Sequence, residues 1–253
     1  MKLITLGTAA GNGRRGQGNA SNLVICGGKY YLFDAGEPVY ALLRSRDIPT
    51  PKVENVFISH LHCDHFGGAV SLLKDFAKYQ ADFPGSRQSW YLPEMTGRDA
   101  LLLYMKSCHR PLPDEKHLKF IQISEGVFFD DGNLKVTAFP NEHMGEGIPS
   151  WSFLAEGEGK RLLITGDMRA DFRDFPAKAL SEPAWVLCES AHCEMKTMLE
   201  KLRCYPIKHL IFSHGSILWH TDPERRYRFN CLSAQMPFAC EMAKDDQEFE
   251  ITI

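Results

Sequence analysis

Val56-Phe57-Ile58-Ser59-His60-Leu61-His62-Cys63-Asp64-His65-Phe66-Gly67-Gly68 is the stretch on which the reading of this chain turns. Val56 to Ser59 is an apolar run with the character of a buried strand, and Phe66-Gly67-Gly68, followed by an Ala/Val/Leu pattern, reads as a helix start. Three imidazoles and a carboxylate therefore fall on a strand-to-helix loop. In an extended segment His60 and His62 alternate onto one side and can reach one ion, while Asp64 and His65 lie past the bend and can face a second. Imidazole nitrogen combined with carboxylate oxygen suits zinc, and also iron or manganese, in a hydrolytic site. Cys63 stands between these ligands and reads as a small neutral filler.

Working outward, Lys2 to Leu6 is a strand running into Gly7-Thr8-Ala9-Ala10-Gly11, a glycine loop without the Lys-Ser/Thr ending of a phosphate-binding P-loop. Asn22–Cys26 and Lys29–Phe33 form a hairpin about Gly27-Gly28, and the second strand ends at Asp34, well placed to orient a metal-binding imidazole. Helices are expected over Val39–Arg46, Ala69–Tyr79, Met95–Ser107 and Glu194–Cys204. Strands are expected over Ser89–Leu92, Leu118–Ile123, Val127–Phe129, Leu134–Phe139, Trp151–Glu156, Arg161–Thr165, Trp185–Cys188 and His209–Ser213. Strand after strand ends at an acid or an imidazole: His143, Asp167, Glu189 with His192, and His214. Hairpins early and late, with helices between them, predict an α/β fold of two sheets packed face to face with helices outside.

At 253 residues, 44% hydrophobic and 24% charged, with no linker or internal repeat, the chain reads as one domain over residues 1–253. Glycines follow Leu6 too early for a secretory segment, and no run approaches the ~18–20 apolar residues of a spanning helix, so a cytoplasmic protein with no membrane partner is expected. Eight cysteines without a CxxC pair read as reduced thiols. The net charge is −3. The densest basic patches, Arg14-Arg15 and Arg225-Arg226 with Arg228, are small, which favours a small substrate over a nucleic-acid polymer.

Taken together, Leu32-Phe33-Asp34-Ala35-Gly36, Ile58 to His65, His143, Thr165-Gly166-Asp167 and His214 resemble, in order and spacing, the five motifs of the metallo-β-lactamase superfamily. Leu6-Gly7-Thr8-Ala9-Ala10-Gly11 with Asn19-Ala20-Ser21-Asn22 is similar to its ribonuclease Z and phosphodiesterase branch. The resemblance implies an αββα four-layer sandwich of two mixed sheets and two divalent ions, Zn2+ first, with Mn2+ or Fe as substitutes. It assigns His60, His62 and His143 to one ion, Asp64, His65 and His214 to the other, and Asp167 to both, with Asp34 behind a ligand imidazole. It further implies a hydrolase using a metal-bridging hydroxide, for which Asp64, His192 and Glu189 are the catalytic candidates, the last two as proton donors, with the orienting of an imidazole as the other role open to Glu189. A small or cyclic phosphodiester is the favoured substrate. A ribonuclease Z-like tRNA 3′ endonuclease is the alternative, as is a lactonase or thiolesterase on the same site; a non-catalytic or di-iron protein ranks lower. Structured RNA is disfavoured because no Gly/Pro-rich arm is present and Gly166-Asp167-Met168-Arg169-Ala170-Asp171 departs from the branch's GDTRP-like motif. A second copy of the chain is a candidate partner.

Overall fold

Strands whose two faces are both apolar need cover on both sides, and this chain supplies it by stacking two sheets and lining each with helices. The computed structural model describes residues 1–13 and 15–252; Arg14, half of the Arg14-Arg15 pair, lies outside the described residues. The first strands are β1 (Lys2–Gly7), β2 (Ser21–Cys26), β3 (Lys29–Phe33), β4 (Val53–Phe57), β5 (Gln88–Leu92) and β6 (Leu118–Gln122). They are followed by β7 (Gly126–Asp130), β8 (Lys135–Pro140), β9 (Trp151–Gly157), β10 (Lys160–Ile164), β11 (Ala184–Glu189), β12 (Ile207–Ser213) and β13 (Ala239–Met242). β14 (Gln247–Glu250) then returns to the N-terminal sheet. The first sheet has the order β14-β1-β2-β3-β4-β5-β6 and the second β13-β12-β11-β10-β9-β8-β7. Each mixes an antiparallel hairpin region with a parallel run, β3 to β6 in one and β10 to β13 in the other.

The period of two along each strand sorts the core into three layers. Tyr31 and Phe33 of β3 meet Phe153 and Ala155 of β9 between the sheets. Leu32 of β3 points the other way, into the layer shared with the helices on the first sheet, while Leu154 of β9 points into the layer on the second. Phe57 sits at the centre of the inter-sheet layer, its ring 4.9 Å from Phe33 and 5.2 Å from Phe129. Outside the first sheet lie α1 (Val39–Ser45), α3 (Ala69–Tyr79) and α4 (Thr96–Ser107); the short α2 (Cys63–Phe66) precedes α3. α3 buries Leu72, Leu73 and Phe76, which recur at helical spacing. Outside the second sheet, α5 (Met195–Leu202) buries Met198, Leu199 and Leu202 in the same manner. This is the expected sandwich, with element ends shifted by one or two residues. All eight cysteines are free, and no helix among the described residues is long and apolar enough to cross a membrane.

The expectation stops at His214, and the chain does not. α6 (Leu218–Thr221), α7 (Pro223–Ser233), β13 and β14 follow. α7 buries only Phe229, so it carries no apolar stripe from which a helix is read. β13 and β14 are four residues each and take their stability from pairing with β12 and β1.

A polar cluster around Asp131 ties the sheets at the end far from the ligand-bearing loops. Asp131, in the β7–β8 turn, accepts from Lys29 Nζ at 2.8 Å and from the Tyr31 hydroxyl at 2.9 Å, both on β3. Its other oxygen accepts from the Asn133 and Leu134 N–H groups at 3.0 Å. Burial opposes the charge, yet Lys29 and these donors outweigh it and bring the carboxyl down to about 2. A carboxyl depressed on folding adds stability above its unfolded pKa and loses it as pH falls through the folded one. Asp131→Asn is therefore expected to cost about 2 kcal/mol at pH 7. The gap to wild type should shrink by roughly half by pH 3, as read from denaturant melts at both pH values.

Candidate metal centre

Parallel strands end together, so the loops after β4, β10, β11 and β12 converge over one edge of the sandwich, and the β8–β9 loop joins them. β4 leads to His60 and His62 in extended backbone, His62 caps α2, and Asp64 and His65 lie within that helix. β8 delivers His143, β10 Asp167, β11 Glu189 and His192, and β12 His214.

The structure brings all seven expected ligands together. One oxygen of Asp167, Oδ2, lies 3.8 Å from His60 Nε2 and 3.6 Å from His143 Nε2. His62 Nδ1 lies 3.0 Å from His60 Nε2 and 3.2 Å from His143 Nε2, so these four residues form one potential ligand group. Asp64, His65 and His214 form another. Asp64 Oδ2 stands 3.9 Å from His65 Nε2 and 3.7 Å from His214 Nε2. Asp167 reaches this group as well, with Oδ1 3.2 Å from His65 Nε2 and Oδ2 3.2 Å from His214 Nε2. His65 Nε2, His214 Nε2 and Asp167 Oδ1 are buried and have no hydrogen-bond partner among the described residues. Buried polar atoms are nearly always satisfied, so converging orphans of this kind fit a cation. Nitrogen and oxygen donors at this density suit a divalent transition metal, zinc foremost.

The electrostatics follow from burial and from Asp167. Burial and the neighbouring His65 push His60 well below the usual imidazole range, which keeps its ring neutral and its lone pair free. Burial also raises Asp167, but His65 and His214 outweigh that and hold its carboxyl well below the usual range. Burial opposes charge on His65, yet Asp167 and Asp34 on either side raise it well above the usual value.

Asp34 stands where it was expected, behind a ligand. Its Oδ2 accepts from His65 Nδ1 at 2.8 Å, which fixes the ring so that Nε2 faces Asp64 and Asp167. Ser59, which the sequence did not single out, completes the support. Its N–H and hydroxyl donate to Asp34 at 2.7 and 2.9 Å, and its hydroxyl lies 3.0 Å from His60 Nδ1. A hydroxyl directly before the first ligand was the one available signal. Cys63 is exposed and belongs to none of the ligand groups.

Beyond the seven, His192 Nδ1 is 3.8 Å from Asp167 Oδ2 and 3.3 Å from Glu189 Oε1, and the ring is partly open to solvent. Its proximity to Asp167 and His214 also makes it geometrically able to ligate. Hydrogen bonding to Glu189 raises its pKa against the opposing effect of burial. Glu189 is buried, and its carboxylate accepts from the N–H groups of Ala191 at 2.6 Å, His192 at 3.0 Å and Met168 at 3.2 Å. It is thus occupied with shaping two ligand-bearing loops.

The N-terminal glycine loop closes the remaining side. Asp245, just before β14, accepts from the Thr8 N–H at 2.9 Å, the Thr8 hydroxyl at 2.6 Å and the Gly18 N–H at 2.5 Å. Gln17 in the same loop joins Gly215 O and the Ile217 N–H, beside His214. Asp245 sits in a polar stretch with nothing local to mark it. Gly36, after Asp34, is needed for close approach: a Cβ there would stand 2.2 Å from Asp64 O and 2.7 Å from the Asn19 Cβ. Gly36→Ala is expected to cost about 1–3 kcal/mol by overpacking. The melting temperature should then fall by about 5 °C, with weakened metal retention, as Asp64 is displaced.

The family model described as "Anti-Pycsar protein Apyc1" matches residues 1–210. A ribonuclease Z of Anoxybacillus flavithermus is 29% identical over 175 residues, 67% of this chain and 53% of that protein. The chain spans about half the length of the curated relatives it matches. Among solved structures, the short form of human tRNase Z superposes with a TM-score of 0.75 at 22% identity, over 100% of both chains. The metallo-β-lactamase fold protein YhfI of Bacillus subtilis does so with 0.77 at 16% identity, over 98% of both. The fold is that of the metallo-β-lactamase superfamily.

Proposed function

The chain belongs to the anti-Pycsar protein Apyc1 family, and from that premise we propose that it is a metal-dependent hydrolase cleaving a small or cyclic phosphodiester. The observation that carries this reading is the position of Asp167, which adjoins His60 and His143 on one side and His65 and His214 on the other, where the buried His65 Nε2, His214 Nε2 and Asp167 Oδ1 lack other partners among the described residues. In this reading His60, His62 and His143 hold one ion, Asp64, His65 and His214 hold a second, and Asp167 is shared. The bound ions supply a water-derived nucleophile near neutral pH and neutralise charge on a phosphoryl oxygen.

The chain's own residues supply the rest. Asp64, as a ligand, contributes a carboxylate beside His65 and His214 and orients what binds there. His192, partly open and charged more readily because of Glu189, gives its proton to the departing alkoxide. Glu189 has its oxygens engaged by backbone N–H groups and acts by holding His192 in place rather than as the donor. The proposed unit is the whole of residues 1–253, because β14 and Asp245 near the C-terminus support β1 and the loop beside the ligands.

Hydrolysis of tRNA 3′ extensions is the second reading, favoured by relatives named ribonuclease Z. Zinc- and manganese-loaded protein should be assayed on bis(p-nitrophenyl) phosphate, 3′,5′-cyclic nucleotides, a precursor tRNA, a homoserine lactone, an acyl thioester and a β-lactam. Turnover of the cyclic nucleotides with none of the β-lactam is the expected outcome. Turnover confined to precursor tRNA would make the second reading the correct one, and turnover confined to the lactone or thioester would reject both.

A further inference from the structure

We propose that the open edge of the first sheet, along β6, is a docking site for an extended acidic segment of a partner protein, which adds to the sheet as a further strand. This inference is independent of the metal centre. β6 pairs with β5 on one side and, among the described residues, has no strand on the other. The Gln88 N–H donates to His117 O at 2.7 Å and the Ile123 N–H to Leu92 O at 2.8 Å, which sets the odd-numbered residues of this segment toward β5. The N–H and C=O groups of Phe120 and Gln122 therefore point outward. None of them has a hydrogen-bond partner among the described residues.

A groove of about 880 Å³ runs along this edge, between β6, α4 and the segment joining them. Its apolar lining comes from Leu102 of α4, Leu112, and Phe120 and Ile121 of β6, all partly exposed. Four cations line it, Arg87, Arg98, Lys116 and Lys119, against the single carboxylate of Glu115. Arg87, Lys116 and Lys119 have no ion-pair partner among the described residues, and Arg98 pairs only with its neighbour Asp99. A lysine on an edge strand is a common guard against unwanted pairing, which accounts for Lys119 alone. It does not account for three further cations converging on an apolar floor beside a helix. That combination of free backbone groups, alternating apolar contacts and excess positive charge matches strand addition by a peptide alternating acidic and apolar residues. An RNA backbone would use the cations but leave the apolar lining and the outward peptide groups unmatched.

The test uses the full-length, metal-loaded chain and a fluorescein-labelled peptide alternating Glu or Asp with Val or Ile. Controls are a peptide of the same composition with acidic and apolar residues in separate blocks, and a single-stranded RNA. Saturable binding of the alternating peptide is expected, with slowed amide exchange at Phe120 and Gln122. Lys116→Glu with Lys119→Glu, both exposed positions, should weaken it about tenfold or more without lowering the melting temperature. No binding of the alternating peptide overturns the proposal. So does binding without exchange protection on β6, or equal binding of the blocked peptide. RNA bound more tightly than the peptide and released by the same charge reversals would make this a phosphate-binding groove instead.

Discussion

Asp167→Ala is expected to abolish hydrolysis, by at least about 10³-fold, while leaving the fold intact. The effect should be so large because Asp167 places a carboxylate against both ligand groups: it lies within 3.2 Å of His65 and His214 and within 3.8 Å of His60 and His143. Without it the two groups lose their common anion, and several imidazoles face one another across a buried space. The expected readouts are metal content by elemental analysis, falling below that of wild type, and turnover of a diester at saturating metal. Stability separates the ligand role from a merely structural one. In metal-free protein the substitution also removes the carboxylate paired with His65 and His214, so the metal-free variant should itself be less stable, and the ligand role is read from the stabilisation each form gains on adding metal. The melting-temperature increase that metal confers on wild type should be largely lost in the variant, since stabilisation by a ligand scales with its affinity. Full metal content together with full activity in Asp167→Ala would remove the shared carboxylate from the reading altogether.

The degree to which this site was legible depends on how locally each group is specified. His60, His62, Asp64 and His65 are read from one loop because backbone alternation and one helical turn are enough to aim them. Asp34, His143, Asp167 and His214 are each visible as polar residues where an apolar run stops, since a strand must end where its ligand-bearing loop begins. Their mutual arrangement, by contrast, came from resemblance, because nothing in a strand's own sequence says which other strand ends beside it. Ser59 and Asp245 act through hydrogen bonds to residues distant in the chain, and the second lies 237 residues from Thr8. Pairings of that kind leave no periodic trace. Glu189 shows the converse limit: its residue type permits proton transfer, and only the three backbone N–H groups on its carboxylate mark it as a support. The segment after His214 was illegible for a different reason, as α7 is polar on almost every face and β14 is held by β1.

His192→Ala should divide substrates by their leaving groups. General acid catalysis contributes ~10²–10⁴-fold when the leaving group must be protonated as it departs. A nucleoside or alkyl alkoxide needs that proton, whereas p-nitrophenolate leaves as a stable anion. Hydrolysis of a 3′,5′-cyclic nucleotide is therefore expected to slow by about two orders of magnitude or more, and bis(p-nitrophenyl) phosphate to be hydrolysed at nearly the wild-type rate. The loss should appear in kcat more than in KM, because the proton is transferred only as the bond breaks. His192 also lies near Asp167 and His214, at ligating range, so metal content must be measured in the same preparations. Unchanged metal with a leaving-group-dependent loss assigns the proton to His192. Equal slowing of both substrates at full occupancy would make it a substrate-positioning group, and loss of metal would make it a ligand. Glu189→Gln offers an independent check, since it keeps the shape of the side chain but removes the charge beside His192 Nδ1 at 3.3 Å. It should reproduce the same substrate dependence more weakly, because the imidazole is retained but is held less firmly and protonated less readily. A Glu189→Gln variant slowed on both diesters alike would show that Glu189 supports the ligand loops and has no bearing on proton transfer.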